Sequence, residues 1–237
     1  MTLVLCALRT VMNSKPVFVR MKTSMALFFI KATYTFYQQS KIFEEKNNSP
    51  DENFNAQIVG GIISAASFLE CFINEVYTDI SEGHYFPYTG IPKKKLELIT
   101  KIWDRGIPRT ARYSTLEKFS IFLDLVDAKP FDKGKYPYQD ASILIETRNE
   151  MVHFEPHWIS FEDAEGRIIS KPHKFESKLK GRFQPSKLHR TNHFSFPHYC
   201  FSSDCLRWAF NSAKDMALDF SERANVSSAL KDLDWKP

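Results

Sequence analysis

The longest apolar repeat in the chain runs from about residue 55 to residue 80, and it constrains the fold more than any other feature. Its apolar residues recur at spacings of three and four, which is typical of a helix with a wide buried face. They are Ile58, Ile62, Ala65, Ala66, Leu69, Phe72, Ile73 and Val76. Gly60 and Gly61 each lower helix propensity by about 1 kcal/mol. Close packing must offset that cost, so we expect another helix to approach the first half of this helix, where the side chains are small.

The same periodicity predicts several further helices. We expect them over about residues 24–46, 93–105, 114–126, 137–154 and 203–223. Ser114 with Glu117 three residues later forms the capping-box pattern at one start. Pro156 disfavours a helical Glu155 and so ends another. The predicted fold class is all-α, with a core that is an up-and-down bundle of four to five helices.

The remaining segments are less regular. Residues 1–20 have no clear period, and we interpret them as a leader before a single helical domain over residues 21–226, with a tail over 227–237. Within that domain, residues 157–196 are an irregular, basic insertion. Two short apolar runs, 158–161 and 167–170, flank a Glu-Gly pair and predict a hairpin, and residues 175–182 predict a short basic helix. The cations of residues 171–190 are either a solvated surface or a contact with RNA backbone.

Composition sets broad limits on the class of protein. Of the 237 residues, 43% are hydrophobic and 25% charged, which is ordinary for a globular domain. A net charge of +4 permits a nucleic acid as partner without requiring one. Four scattered cysteines suit a reducing compartment, and we see no apolar run of the roughly 18–20 residues that a membrane span needs, so we expect a cytoplasmic protein without a membrane anchor. The spacing of His198, Cys200 and Cys205 matches no standard zinc pair, so neither a metal nor another cofactor is expected.

The candidate functional residues lie late in the helix predicted over 137–154. Its expected apolar stripe consists of Ala141, Leu144, Ile145, Met151 and Val152, and Arg148 falls on that stripe. A guanidinium is rarely buried unless something negative meets it. A neighbouring polar stripe carries Ser142, Glu146, Asn149 and His153. Arg, Asn and His converging at the edge of a core predict a site for an anion such as phosphate. The alternative is a structural cluster, in which Arg148 pairs with a buried Glu.

These residues resemble the motif of HEPN domains, in which an Arg is followed four to six residues later by a His, with a polar residue directly after the Arg. Arg148, Asn149 and His153 fit that pattern. Residues 66–75 look like the early helix of some members, which carries an acidic residue facing the motif. A segment around Trp208 looks like their closing helix. The resemblance covers roughly residues 21–155 and 197–226.

HEPN domains are all-α bundles; many are metal-independent endoribonucleases and others are non-catalytic. The resemblance implies that Arg148, Asn149 and His153 cleave RNA through attack by the 2′-hydroxyl. It implies that Glu70 and Asn74 face the motif, with Glu70 neutralising or positioning Arg148; otherwise the two belong to a solvated face. It also implies a homodimer, RNA or a nucleotide as ligand, an antitoxin or regulatory protein as partner, and a defence or toxin role. The alternative is a non-catalytic HEPN-like module that binds a nucleotide, RNA or a protein.

Overall fold

The computed structural model describes residues 22–110, 112–156, 158, 173, 175–188, 195–227 and 230. These residues contain no strand. They form the α-helices α1 (Met25–Lys46), α2 (Glu52–Ser81), α3 (Lys93–Asp104), α4 (Thr115–Leu125), α5 (Tyr138–Val152), α6 (Glu176–Leu179) and α7 (Ser203–Arg223), with 3-10 turns at Phe86–Tyr88 and His198–Cys200. The all-α class is confirmed for this part of the chain. The leader over 1–20 and the hairpin predicted over 158–170, apart from Trp158, lie outside the described residues.

Polar caps set the starts of the helices. Ser24 accepts a hydrogen bond from the Leu27 amide at 3.3 Å at the start of α1. Asp51 accepts one from the Phe54 amide at 2.7 Å, so α2 begins three residues earlier than its apolar period predicts. The capping box predicted at Ser114 is present at the start of α4. The predicted basic helix over 175–182 is shorter than expected, because α6 has only four residues.

Helices α1 and α2 are antiparallel neighbours. Ser24, before the start of α1, donates to the Glu75 carboxylate near the end of α2 at 2.7 Å. Farther along α1, Thr33 donates to the Gly61 carbonyl at 3.3 Å. Because the contacts run in opposite directions along the two helices, α1 returns along the face of α2.

Helix α7 packs on α2 in parallel, and the close approach occurs at the glycine pair. A β-carbon built at Gly61 would lie 2.5 Å from a Leu206 methyl group, so only glycine leaves room for α7 there. About three helical turns farther along α2, the rings of Phe72 and Phe220 pack edge to face, with their centroids 6.1 Å apart. The glycine-containing half of α2 therefore packs against α7 of the same chain.

Helix α5 runs antiparallel to α7. Its Asp140 accepts a hydrogen bond from the Trp208 indole at 2.8 Å, and Tyr136, just before α5, donates to Asp215. Since α7 and α2 are parallel, α1, α2, α5 and α7 alternate in direction. This arrangement agrees with the predicted up-and-down bundle. It directs the C-terminal end of α5 toward the start of α7.

Helices α3 and α4 close the other end of the bundle. Thr100 of α3 donates to the Ile80 carbonyl at the end of α2. Tyr77 stacks on Trp103 with ring centroids 4.9 Å apart, and its hydroxyl donates to the Lys118 carbonyl of α4 at 3.1 Å. The C-terminal part of α2 is thus enclosed by aromatic packing.

Helix α2 is long and apolar enough to cross a membrane, judged by length and composition alone. It has 30 residues, and its most apolar 18-residue window has a mean hydropathy of 1.7. Half of that window is buried within the protein. A core helix of a bundle has the same composition, because it is covered on several sides.

Candidate functional site

The buried face of α5 differs from the predicted apolar stripe. It is formed by Ala141, Ile143, Leu144 and Thr147. The buried position of Thr147 is tolerated because its hydroxyl donates a hydrogen bond to the Ile143 carbonyl at 2.7 Å, which satisfies the polar group within the helix. Val152, expected in the stripe, is 53% exposed. The prediction is therefore wrong for Val152, whereas Ile145 and Met151 are partly buried and pack against the core.

Arg148 lies at the edge of this buried face and is half-buried. Its Nε atom is buried and has no hydrogen-bond partner. Its guanidinium also makes no ion pair with any residue in the described ranges. A desolvated cationic donor without a partner is unfavourable, so this position is suited to receive an anion.

Asn149 and His153 project from the outer side of the same helix end, and both are exposed. His153 is the C-cap of α5, and its backbone amide donates to the Asn149 carbonyl at 2.9 Å. Asn149 and His153 are one helical turn apart, so they share a surface. Arg148 and His153 are five residues apart, which is about 140° around a regular helix. One copy of the chain therefore presents Asn149 and His153 together, with Arg148 on a different side.

Glu70 pairs with a lysine that the sequence interpretation did not single out. Lys118 Nζ donates to Glu70 Oε1, and the Thr115 hydroxyl donates to Oε2. Burial alone would raise the pKa of Glu70, but the hydrogen bonds from Lys118 and Thr115 outweigh it and hold the pKa below its ordinary value. The expected contact between Glu70 and Arg148 is absent, because α4 supplies the cation instead.

Asn74 belongs to the same cluster. Its amide nitrogen donates to Glu70 Oε1 at 3.2 Å, and its carbonyl oxygen accepts from Lys118 Nζ at 3.0 Å. Both supporting residues thus contact α4 and not the motif on α5. The sequence does indicate that Lys118 is buried, because it lies four residues before Phe122 and next to Phe119, on the apolar side of a short helix.

The basic segment around α6 lies along α5 and neutralises its acidic side. Lys178 contacts Glu146 at 2.6 Å, and Arg182 pairs with Asp140. These two cations connect the insertion to the motif helix, and Lys178 is at the same time exposed to solvent, as the solvated-surface alternative expects. Of the other cations predicted over 171–190, Lys180 and Lys187 are exposed, whereas Lys171, Lys174 and Arg190 lie outside the described residues.

Cys200 and Cys205 are adjacent buried thiols. Both are free. Burial, and to a smaller extent a hydrogen bond with Cys200, raises the pKa of Cys205 well above its ordinary value. Across the described ranges, no three His, Cys, Asp or Glu side chains are placed to hold a metal ion.

Comparison of the chain with protein-family models, with curated proteins and with solved structures finds no match. The resemblance to HEPN domains therefore rests on the residues of this chain alone.

Proposed function

We propose that this chain is a metal-independent endoribonuclease of the HEPN type, with its site at the C-terminal end of α5. The observation that carries this assignment is the state of Arg148. Its Nε is buried without a partner, and no carboxylate among the described residues pairs with the guanidinium. A phosphate group would supply oxygen acceptors for a planar, bidentate contact and would remove the unfavourable state.

The proposed reaction is an internal displacement at phosphorus. The 2′-hydroxyl oxygen of a ribose bonds to the adjacent phosphorus, and the bond to the 5′-oxygen of the next nucleotide breaks. The products are a 2′,3′-cyclic phosphate and a 5′-hydroxyl end. His153 takes part in proton transfer, for which an exposed imidazole is suited. Arg148 stabilises the charge that develops on the phosphorane-like transition state, and Asn149 orients His153 or the phosphate.

Two copies of the chain complete the proposed site. Because Arg148 and His153 point about 140° apart on one helix, a single copy does not direct both at one phosphate. A two-fold pair of α5 ends places the Arg148 of one copy beside the His153 of the other. The exposed last turn, including Val152, is available for such a contact.

The second candidate is a non-catalytic module that binds RNA or a nucleotide through Arg148. The divergence of Arg148 from His153 favours it, because binding an anion needs the guanidinium alone. The two candidates differ in whether His153 is required.

The decisive experiment is an RNA cleavage assay with His153→Ala. We expect cleavage to be abolished, while the helical circular dichroism and the melting temperature stay close to those of the parent, because the side chain is exposed. His84→Ala is the matched control: it removes another exposed imidazole, at the far end of the bundle, and should cleave normally.

The products and the metal dependence complete the test. Cleavage should persist in excess chelator and should leave a 2′,3′-cyclic phosphate, detectable by mass spectrometry. Loss of cleavage in EDTA with recovery on adding Mg²⁺ contradicts the mechanism. RNA binding without cleavage in the parent protein and in His153→Ala alike assigns the chain to the binding module.

A further inference from the structure

One strongly basic segment of this chain is residues 93–112, which spans α3 and the loop after it. This segment contains seven Lys and Arg residues and two carboxylates, a net charge of +5, whereas the whole chain has a net charge of +4. A second basic segment, residues 171–190, contains seven Lys and Arg residues and one carboxylate. A polyanion is attracted to such basic segments, and the fold decides which of their cations are free to meet it.

Two lysines of α3 and its C-cap arginine form a line on the solvent side of the helix. Lys94, Lys101 and Arg105 are separated by seven and four residues, which places them on one face of the helix. All three are exposed. The opposite face, formed by Leu96, Ile99 and Trp103, is buried.

Two arginines of the following loop, Arg109 and Arg112, add to this line and are also exposed. The Arg109 guanidinium lies over the Trp103 ring, 5.8 Å from its centroid. This contact orients the cation and leaves its charge in place. We call Lys94, Lys101, Arg105, Arg109 and Arg112 the basic ridge.

The ridge is not neutralised by the protein. None of its five cations makes an ion pair with a residue in the described part of the chain, whereas the nearby Lys95 contacts Asp127 at 2.7 Å. The contrast with α6 is informative, since Lys178 and Arg182 are both paired with carboxylates of α5. The fold thus pairs these two cations of the insertion with carboxylates and leaves the five cations of the basic ridge open to an external anion.

We propose that the basic ridge binds the phosphate backbone of an RNA strand. Lys94 and Arg105 are eleven residues apart, which is about 16 Å along a helix. A nucleic-acid strand within a duplex carries a charge every 3.4 Å or so along its axis, so the line faces about five phosphates. Lysine and arginine heads meet phosphates without reading bases, and binding here is independent of sequence.

An anionic membrane fits the ridge less well. Helices that lie on a membrane bury a wide apolar face in the lipid, next to their cations. Helix α3 uses its apolar face against the protein core, and the exposed apolar side chains nearby are Leu98, 40% exposed, and Ile107, 43% exposed. Two isolated side chains do not make an inserting face.

The ridge is distinct from the proposed cleavage site. Thr100 of α3 contacts Ile80 at the end of α2, whereas the motif end of α5 points toward the opposite end of the bundle. The ridge thus goes beyond the proposed function, and only the choice of RNA over DNA rests on that function. Backbone binding by the ridge is testable whether or not the protein cleaves.

The experiment measures binding of a labelled single-stranded RNA of about 20 nucleotides by fluorescence anisotropy, with the full chain carrying His153→Ala to prevent cleavage. In that background, the triple change Lys94→Ala, Lys101→Ala, Arg105→Ala should weaken binding about tenfold or more at moderate salt. The slope of log affinity against log salt should also fall by about 2, because three phosphate contacts are lost.

The control triple Lys31→Ala, Lys41→Ala, Lys46→Ala removes the same charge from exposed positions of α1. It should change the affinity by less than about threefold. Equal losses in the two triples would reduce the effect to net charge and overturn the ridge. Unchanged RNA binding in the ridge triple overturns it directly.

Two further ligands separate the sources of anionic charge. DNA of the same sequence should bind no more tightly than RNA, and stronger DNA binding overturns the assignment to RNA. Vesicles rich in phosphatidylserine should bind weakly; ridge-dependent vesicle binding without RNA binding assigns the surface to a membrane. Failure of the cleavage mechanism is seen separately, when His153→Ala still cleaves.

Discussion

Lys118 Nζ donates a hydrogen bond to Glu70 Oε1 between α4 and α2, where the lysine side chain is 3% exposed and the glutamate side chain 35%. Asn74 and Thr115 complete the contacts of this pair. A buried ammonium requires such an arrangement, because an uncompensated charge in the interior is strongly unfavourable. The pairing commits Glu70 to the scaffold, and Arg148 is left without an acidic partner among the described residues.

Breaking this pair on one side should destabilise the protein. Glu70→Ala leaves the Lys118 ammonium buried, and we expect the free energy of unfolding to fall by about 2–3 kcal/mol, less than for a fully buried pair because Glu70 is partly solvated. The double change Glu70→Leu with Lys118→Met should recover most of that loss. Urea unfolding measures both. Lys178→Ala, which breaks a solvent-exposed pair, is the control and should lower stability by about 1 kcal/mol or less. Equal effects of the two single changes would contradict a structural role for the Lys118 pair.

The same pair predicts a dependence of stability on acid. The pKa of Glu70 in the folded protein lies below its ordinary value of 4.5, so the ionised form stabilises the fold. That contribution is fully present above pH 4.5 and is lost as the pH falls through the lower folded pKa. The stability difference between the parent and Glu70→Gln should therefore be largest near neutral pH and shrink in acid. Lys118→Met should flatten this dependence, because it removes a donor that lowers the pKa. A difference that grows in acid would contradict the sign.

Arg148→Met tests whether the motif arginine supports the fold. Removing a buried donor without a partner should leave the free energy of unfolding unchanged or raise it by about 1 kcal/mol. RNA cleavage should be lost, and Arg148→Lys should not restore it, because lysine keeps the charge but lacks the planar fork. Thermal unfolding measures the effect on stability, and the cleavage assay measures the effect on activity. A fall in stability of more than about 2 kcal/mol would instead assign Arg148 to the scaffold.

The glycine pair of α2 gives a matched test of packing. Gly61→Ala places a methyl group 2.5 Å from a methyl carbon of the fully buried Leu206, and we expect a loss of about 1–3 kcal/mol from overpacking. Gly60→Ala meets the Phe36 ring at an ordinary contact distance of 3.4 Å. There the gain in helix propensity should dominate and raise stability by up to about 1 kcal/mol. Denaturant unfolding measures the stability of both variants. A similar change in stability in the two would mean that α7 shifts to make room for the methyl group that Gly61→Ala adds.

The positions of the helices could be predicted because their signals are local. The period of the apolar residues and the caps at Ser24 and Ser114 act within a few residues of the chain, and the structure places α1, α4 and α7 within one or two residues of the expected ranges. The early start of α2 has an equally local cause in the Asp51 cap. The apolar stripe of α5 was predicted less well, because a back-bonded Thr147 takes a buried place that a pattern of apolar residues overlooks.

The sequence by itself determined that this chain forms helices with buried apolar faces, and that Arg, Asn and His share the end of one of them. The tertiary structure alone decided which charges meet. Glu70 and Lys118 are 48 residues apart, and Lys178 and Glu146 are 32 apart. Such pairs depend on the rotation and spacing of packed helices, which the whole core sets together. For the same reason, only the packed structure distinguishes the paired cations Lys178 and Arg182 from the unpaired cations of the basic ridge.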